Sequence, residues 1–321
     1  MKLFRFAGAL VLTVVMLFIA RNLSMVKPID LKRSVEGLTI EHTTVPKIVE
    51  GNPDKITVKI SNAGGKEINA YLLTTSEKTD DQAKYTVAEM KLDQSGAYSA
   101  PIPILSKGKK IFYYINIIDS DGRNIVQIPS RESGPMKLKY EGKVPPYIIS
   151  PHIFLMFIAI YFASLALFDA FNVGAKGVDP VRMAKNLRWA TAAIFVGGYP
   201  FGWAMNYFAF GVVWEGIPFG WDFTDNKTQI VLLYLIFLNL SMLGALYNNR
   251  FGKNNFSDKT LGWLTIIGYL LVAAIYIIPH SIQFSVPATA LFSYGLTAVI
   301  VGLYIFGLTR KQKWIERKSP K

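Results

Sequence analysis

The sequence predicts a multi-domain membrane protein: an all-β sandwich placed between the first and second of six α-helical transmembrane spans. Three observations lead there. Of 321 residues, 51% are hydrophobic and only 18% charged, with a mean hydropathy of +0.28, too apolar for an average soluble chain. Six apolar runs are long enough to cross about 30 Å of hydrocarbon. The long stretch after the first run alternates apolar and polar residues with period two, as half-buried strands do. High hydrophobicity excludes a disordered chain. The absence of cysteine excludes a disulfide framework, thiol catalysis, iron–sulfur clusters, covalent c-type haem and a lipoprotein anchor.

The first run, residues 6–20, follows Lys2 and Arg5. Phe18 and Ile19 before Ala20 make a poor small-x-small cleavage site, so it reads as an uncleaved anchor, with a signal peptide as the alternative. The other runs cover 153–171, 189–213, 230–247, 261–278 and 288–308, with Trp189, Trp214, Tyr247 and Trp263 at their ends. Lys176, Arg182, Lys185 and Arg188 lie between the second and third runs; Arg250, Lys253 and Lys259 lie between the fourth and fifth. Six more basic residues follow the last. The opposite short loops hold only Lys227, against Glu215, Asp222 and Asp225. The positive-inside rule therefore predicts six spans with both termini inside, in the inner membrane of a prokaryote.

That topology exports residues 21–146, whose 19 basic and 15 acidic residues make it only mildly positive. The net charge of +13 thus reflects topology, and nucleic acid is excluded as a partner because the basic residues form no aromatic-interleaved face. The predicted domains are an anchor at 1–23, an extracytoplasmic sandwich at 24–146, five membrane helices at 147–309 and a basic tail at 310–321.

Ile56, Val58 and Ile60 alternate against Thr57, Lys59 and Ser61 as a strand. Further strands are predicted at 38–44, 68–75, 85–92, 97–102, 110–118 and 124–128. Turn residues at 62–65, 93–96, 106–108 and 119–122 separate them. His42 on the first of these strands reads as a surface or half-buried histidine. Pro145 and Pro146 predict a stiff, extended linker over 137–149.

Met90-Lys91-Leu92, Gly96-Ala97-Tyr98-Ser99-Ala100-Pro101-Ile102-Pro103, and Phe112-Tyr113-Tyr114-Ile115 with the Asp119–Gly122 turn resemble a bacterial immunoglobulin or fibronectin-III-type module, over about residues 36–140. The resemblance implies an immunoglobulin-like binding or spacer domain without catalysis, and names no ligand.

Ionisable residues within spans mark functional sites, and this chain has few of them. Asp169 sits near the inner end of the second span, where it is expected to reach water. Asn206, Tyr207, Asn239, Ser241, Tyr269 and Tyr276 read as interhelical hydrogen-bonding groups, and Gly197, Gly198, Gly202, Gly244 and Ala245 as close-packing positions. Two tetrapeptides repeat: Pro200-Phe201-Gly202-Trp203, expected to kink the third span, and Pro218-Phe219-Gly220-Trp221 in the next loop. The second continues into Asp222, Thr224, Asp225 and Asn226, where Asp225 or Thr224 suits an N-cap. This loop is predicted either to fold as a capped, aromatic-anchored turn or to form a site for a cation on Asp222 and Asp225, a quinone headgroup or a protein partner. Its spacing matches no calcium loop.

His152 and His280 fall at the outer ends of the second and fifth spans. Two imidazoles at one depth, with Met156 one turn from His152 as substitute, could ligate one b-type haem, or face a quinol with Trp221. Hydrolase, P-loop and dinucleotide signatures are absent. Three functional classes follow: a non-catalytic subunit or scaffold whose partners are the lipid bilayer, other membrane subunits and an extracytoplasmic protein; a redox subunit with one haem or quinol; and a solute transporter.

Overall fold

The structure, a computed structural model, describes residues 2–318 except 62–66, 80, 177–179, 248–252, 280, 281 and 283. The chain divides into two compact units. One comprises Met1–Met25, Pro145–Met205 and Val213–Lys321; the other comprises Val26–Val144 with Asn206–Val212.

The second unit is a curled, mixed β-sheet. Its strands are β1 (Asp30–Val35), β2 (Leu38–Thr43), β3 (Lys47–Val49), β4 (Lys55–Ser61), β5 (Ile68–Thr75), β6 (Thr86–Leu92), β7 (Ala97–Pro101), β8 (Lys110–Asp119), β9 (Asn124–Ile128) and β10 (Met136–Glu141). They lie in the order β1-β2-β4-β7-β6-β5-β8-β10-β3, with β9 also on β8. β10 runs parallel to β3, whereas β8 is antiparallel to β5, β9 and β10. β8 holds the sheet because its sequence, KIFYYINIID, is almost wholly β-branched or aromatic and can be buried along its length. After it the chain reverses over Asp119–Gly122. The Asp119 carboxylate accepts the Asp121 and Arg123 amides at 3.1 and 2.8 Å, and Gly122 takes φ 78°.

The curl occurs at β6, which pairs β5 through Thr86 to Met90 and β7 through Lys91 and Leu92. The sheet's two halves thereby share one core, in which Leu38, Ile40, Ile56 and Val58 meet Leu72, Ile115, Ile117 and Leu138. Each such side chain contributes about 1.5–3 kcal/mol by leaving water.

Strands appear at all seven predicted places, and β1, β3 and β10 are additional. β10 corrects the expected linker over 137–149. Leu138 and Tyr140 alternate with Lys137 and Lys139 and are buried, and Pro146 begins a helix. The nearby prolines concealed that alternation. His42 is likewise corrected: it is 3% exposed, its Nδ1 lies 2.7 Å from the Thr57 carbonyl and its Nε2 3.1 Å from the Tyr113 hydroxyl. The carbonyl requires Nδ1 to donate, so Nε2 accepts from Tyr113. Burial lowers the imidazole pKa and raises that of Tyr113 to about 12.

Asn206–Val212 belongs to this unit as well. The Gly142 amide donates to the Ala209 carbonyl at 2.8 Å, and the Lys139 ammonium lies 3.5 Å from the Phe210 ring centroid. Asn206 and Tyr207, expected to join membrane helices, are thus placed with the sheet.

The other unit contains α1 (Lys2–Ser24), α2 (Pro146–Lys176), α3 (Val181–Val196), α4 (Gly202–Phe210, shared with the sheet unit from Asn206), α5 (Phe223–Ser241), α6 (Leu243–Leu246), α7 (Asp258–Ile277) and α8 (Val286–Lys318). Among the described residues, four helices are long and apolar enough to cross a membrane: Leu3–Ser24, Pro146–Lys176, Asp258–Ile277 and Val286–Arg310. This is a membrane protein by that measure. The other two predicted runs take different forms. A π turn at Gly197–Phe201, with Pro200 inside it, divides the third into α3 and α4. The fourth begins as α5, whose first turns hold Asp225 and Lys227.

Glycine permits the closest helix approaches. A Cβ on Gly262 of α7 would lie 2.7 Å from the Gly174 nitrogen and 2.9 Å from the Ala170 carbonyl oxygen of α2. α1 packs on the same helix, where a Cβ on Gly8 would strike the Phe168 ring at 2.7 Å. Asp169, expected to reach water, is instead 2% exposed. Its carboxylate meets Arg5 of α1 at 3.2 Å, Arg182 of α3 at 2.8 Å and Asn186 of α3 at 2.8 Å. Three helices converge on one charge, which explains why water is displaced there.

Candidate functional site

The π turn packs against the start of the loop that follows α4. Tyr199, just before Pro200, stacks on Trp214 at 5.4 Å between centroids and lies edge-on to Trp203 at 5.7 Å. Trp214 Nε1 donates to the Ile217 carbonyl at 3.4 Å, so the first tetrapeptide abuts the loop that carries the second.

That loop is organised by the first turn of α5. Asp222 is the N-cap, correcting the expected Asp225 or Thr224: its Oδ1 accepts the Thr224 amide at 2.8 Å and the Asp225 amide at 3.1 Å. Capping one residue earlier frees the following side chains to turn back. Asp225 Oδ2 accepts the Glu215 amide at 2.7 Å. Asn226 bonds twice, accepting from Ile217 N–H at 2.9 Å and donating to the Asp222 carbonyl at 2.9 Å. These two side chains pair backbone amides of the loop that have no secondary-structure partner. Pro218 follows a cis peptide, Phe219 is exposed, and the Gly220 amide donates to the Gly216 carbonyl at 3.0 Å. A Cβ on Gly220 would overlap the Glu215 carbonyl, so only glycine fits. Trp221 is half-exposed against Tyr294 of α8, 6.1 Å between centroids.

Lys227 is a participant that the sequence reading counted only as an outer charge. It is 2% exposed, and its Nζ donates to the Ile278 carbonyl at 2.6 Å, at the C-terminus of α7. A cation there complements the helix dipole. Its signal was available: a lone lysine just before an apolar run, one turn into the helix that carries it.

The histidine pair does not assemble among the described residues, since His280 lies outside them. His152 Nδ1 faces the Gly197 carbonyl at 2.8 Å, tying α2 to the π turn. The Tyr276 hydroxyl lies 3.6 Å from the Met156 sulfur, and a Cβ on Gly197 would come within 3.2 Å of it. Asp222 and Asp225 direct their carboxylates to backbone amides, and among the described residues no three His, Cys, Asp or Glu side chains gather around a metal position. Compared with known proteins, the chain matches no family model and no curated sequence.

Proposed function

We propose that this protein is a non-catalytic membrane subunit or scaffold. In this reading the sheet unit is an immunoglobulin-like sandwich outside the cytoplasmic membrane of a prokaryote, where it docks a protein partner. Six spans with both termini inside anchor it and assemble laterally with other membrane subunits. The positive-inside asymmetry supports the orientation, and the core shared between the sheet's two halves supports the sandwich.

One observation supports the scaffold over transport. Several buried or half-buried polar groups of the helical unit join one structural element to another. Asp169 joins α1, α2 and α3; His152 joins α2 to the π turn; Asp225 and Asn226 hold the loop; Lys227 joins α5 to the end of α7. A transporter needs such groups to face a path.

The absence of cysteine makes the test direct. Single cysteines at Ser95 and Thr309, labelled with a membrane-impermeant maleimide in intact cells, should react at Ser95→Cys and not at Thr309→Cys until the cells are opened. Native electrophoresis after mild solubilisation should then show a complex larger than the 35.9 kDa chain in its micelle. Removing residues 26–144 should release the external partner and retain the membrane subunits. A lone monomer carrying a stoichiometric visible absorbance would overturn the scaffold in favour of the redox reading.

A further inference from the structure

A cavity of about 90 Å³ lies between α5 and α8, bounded by Asn226, Gln229, Ser293, Tyr294 and Thr297 among aliphatic side chains. Two of its polar atoms lack a partner: Gln229 Oε1 and Ser293 Oγ. Ser293 is 3% exposed, so its hydroxyl is orphaned in an apolar bundle. One turn earlier on α8, Thr289 is fully buried and its hydroxyl is unpaired too. Thr289, Ser293 and Thr297 recur at the four-residue spacing that aligns side chains on one helix face.

Leaving a buried polar group unsatisfied costs about 1–3 kcal/mol, and such groups call for an explanation. Helices can avoid that cost by placing alanine or leucine there. Asn226 offers little to a ligand, because its amide already bonds Ile217 and Asp222. Asp225 and Lys227 on either side are engaged with Glu215 and Ile278, so a charged guest would find no counter-ion on the cavity wall. A carbonyl acceptor at Gln229 and a donor–acceptor hydroxyl at Ser293 match a neutral hydroxyl head. At roughly 30 Å³ per water, the volume suits a head of a few heavy atoms, with an apolar body continuing into the bilayer.

We infer that this α5–α8 cavity binds the neutral, hydroxyl-bearing head of a lipid-soluble molecule, held by Gln229 and Ser293. An acylglycerol and a quinol share that chemistry. The inference is independent of the scaffold reading, because a scaffold, a transporter or a redox subunit could each hold such a ligand.

Trp221, edge-on to the cavity's Tyr294, is the reporter. The full chain in mild detergent would be titrated with dioctanoylglycerol and, separately, with a short-chain benzoquinol, following tryptophan emission, with Trp221→Phe identifying the signal. The expected result is saturable one-to-one binding of one probe, which identifies the source. That binding should weaken about five- to tenfold in Ser293→Ala and in Gln229→Leu. Both variants should melt at or above the parent temperature, since each removes an orphaned polar atom. Three outcomes overturn the inference: neither probe saturates; saturable binding survives in both variants; or both variants melt lower with binding unchanged, which assigns the two atoms to structural water.

Discussion

Ion pairs occur in both units of this molecule, and their surroundings give them opposite weight. In the sheet unit, Lys32 and Glu41 approach to 2.6 Å across β1 and β2, yet their side chains are 68% and 47% exposed. In the helical unit, Asp169 sits at 2% exposure between two arginines and an asparagine. Water screens the first pair and offers each partner an equal alternative. The Asp169 carboxylate has no such alternative, so its charge is tolerated only while its partners remain. A short distance therefore says little about stability until the solvent around it is known.

The comparison is broken most directly at Asp169. Asp169→Ala should destabilise the detergent-solubilised protein by about 3 kcal/mol, read as a large drop in melting temperature, because the half-buried Arg5 loses its anion. Replacing Asp169 by Leu and Arg5 by Met together should recover much of that loss. A double variant as unstable as the single would mean that the pair itself, and not the stranded charge, supplies the stability.

Next in size come the two acids that open α5. Asp225→Ala removes the bond from a buried carboxylate to the Glu215 amide and should cost about 1.5–3 kcal/mol. Asp222→Ala removes an N-cap and should cost about 1 kcal/mol. Limited proteolysis across the loop distinguishes them: the first variant should be cut faster, while the second frays only the helix start.

Within the sheet unit, acid is the sharper probe. The folded chain holds His42 neutral with a lowered pKa, so the unfolded chain takes up that proton first. Its contribution is fully present above about pH 6.5 and is lost as the pH falls below that value. Urea midpoints of the sheet unit's transition in the full chain should decline over that range, and His42→Gln should flatten the decline. The smallest effect belongs to Glu41→Gln, whose urea midpoint at neutral pH should coincide with the parent's. A clear shift there would mean that exposed pairs matter more in this sheet than solvent screening allows.

The strand pattern was legible because the sheet is half-buried: Ile56, Val58 and Ile60 repeat every second residue, and seven strands could be placed. β10 was missed although Leu138 and Tyr140 carry the same signal, since neighbouring prolines suggested a linker. The outer loop was legible as unusual, with its proline, glycine, tryptophan and acids. Its internal wiring was not, because whether Asp222 or Asp225 caps α5 depends on where the chain doubles back to present the Glu215 and Ile217 amides.

The sequence by itself determined what local spacing and composition can encode: the apolar runs, the period of the strands, the turn residues and the asymmetry of basic charge. Only the tertiary structure decided which polar side chains would meet. Arg5 and Asp169 are 164 positions apart, and Lys227 finds the Ile278 carbonyl across 51. No periodicity spans such separations. The identity of a buried group's partner is set by which helices pack together, and that follows from close approaches such as Gly262 on Gly174, where the absence of a side chain lets two backbones touch.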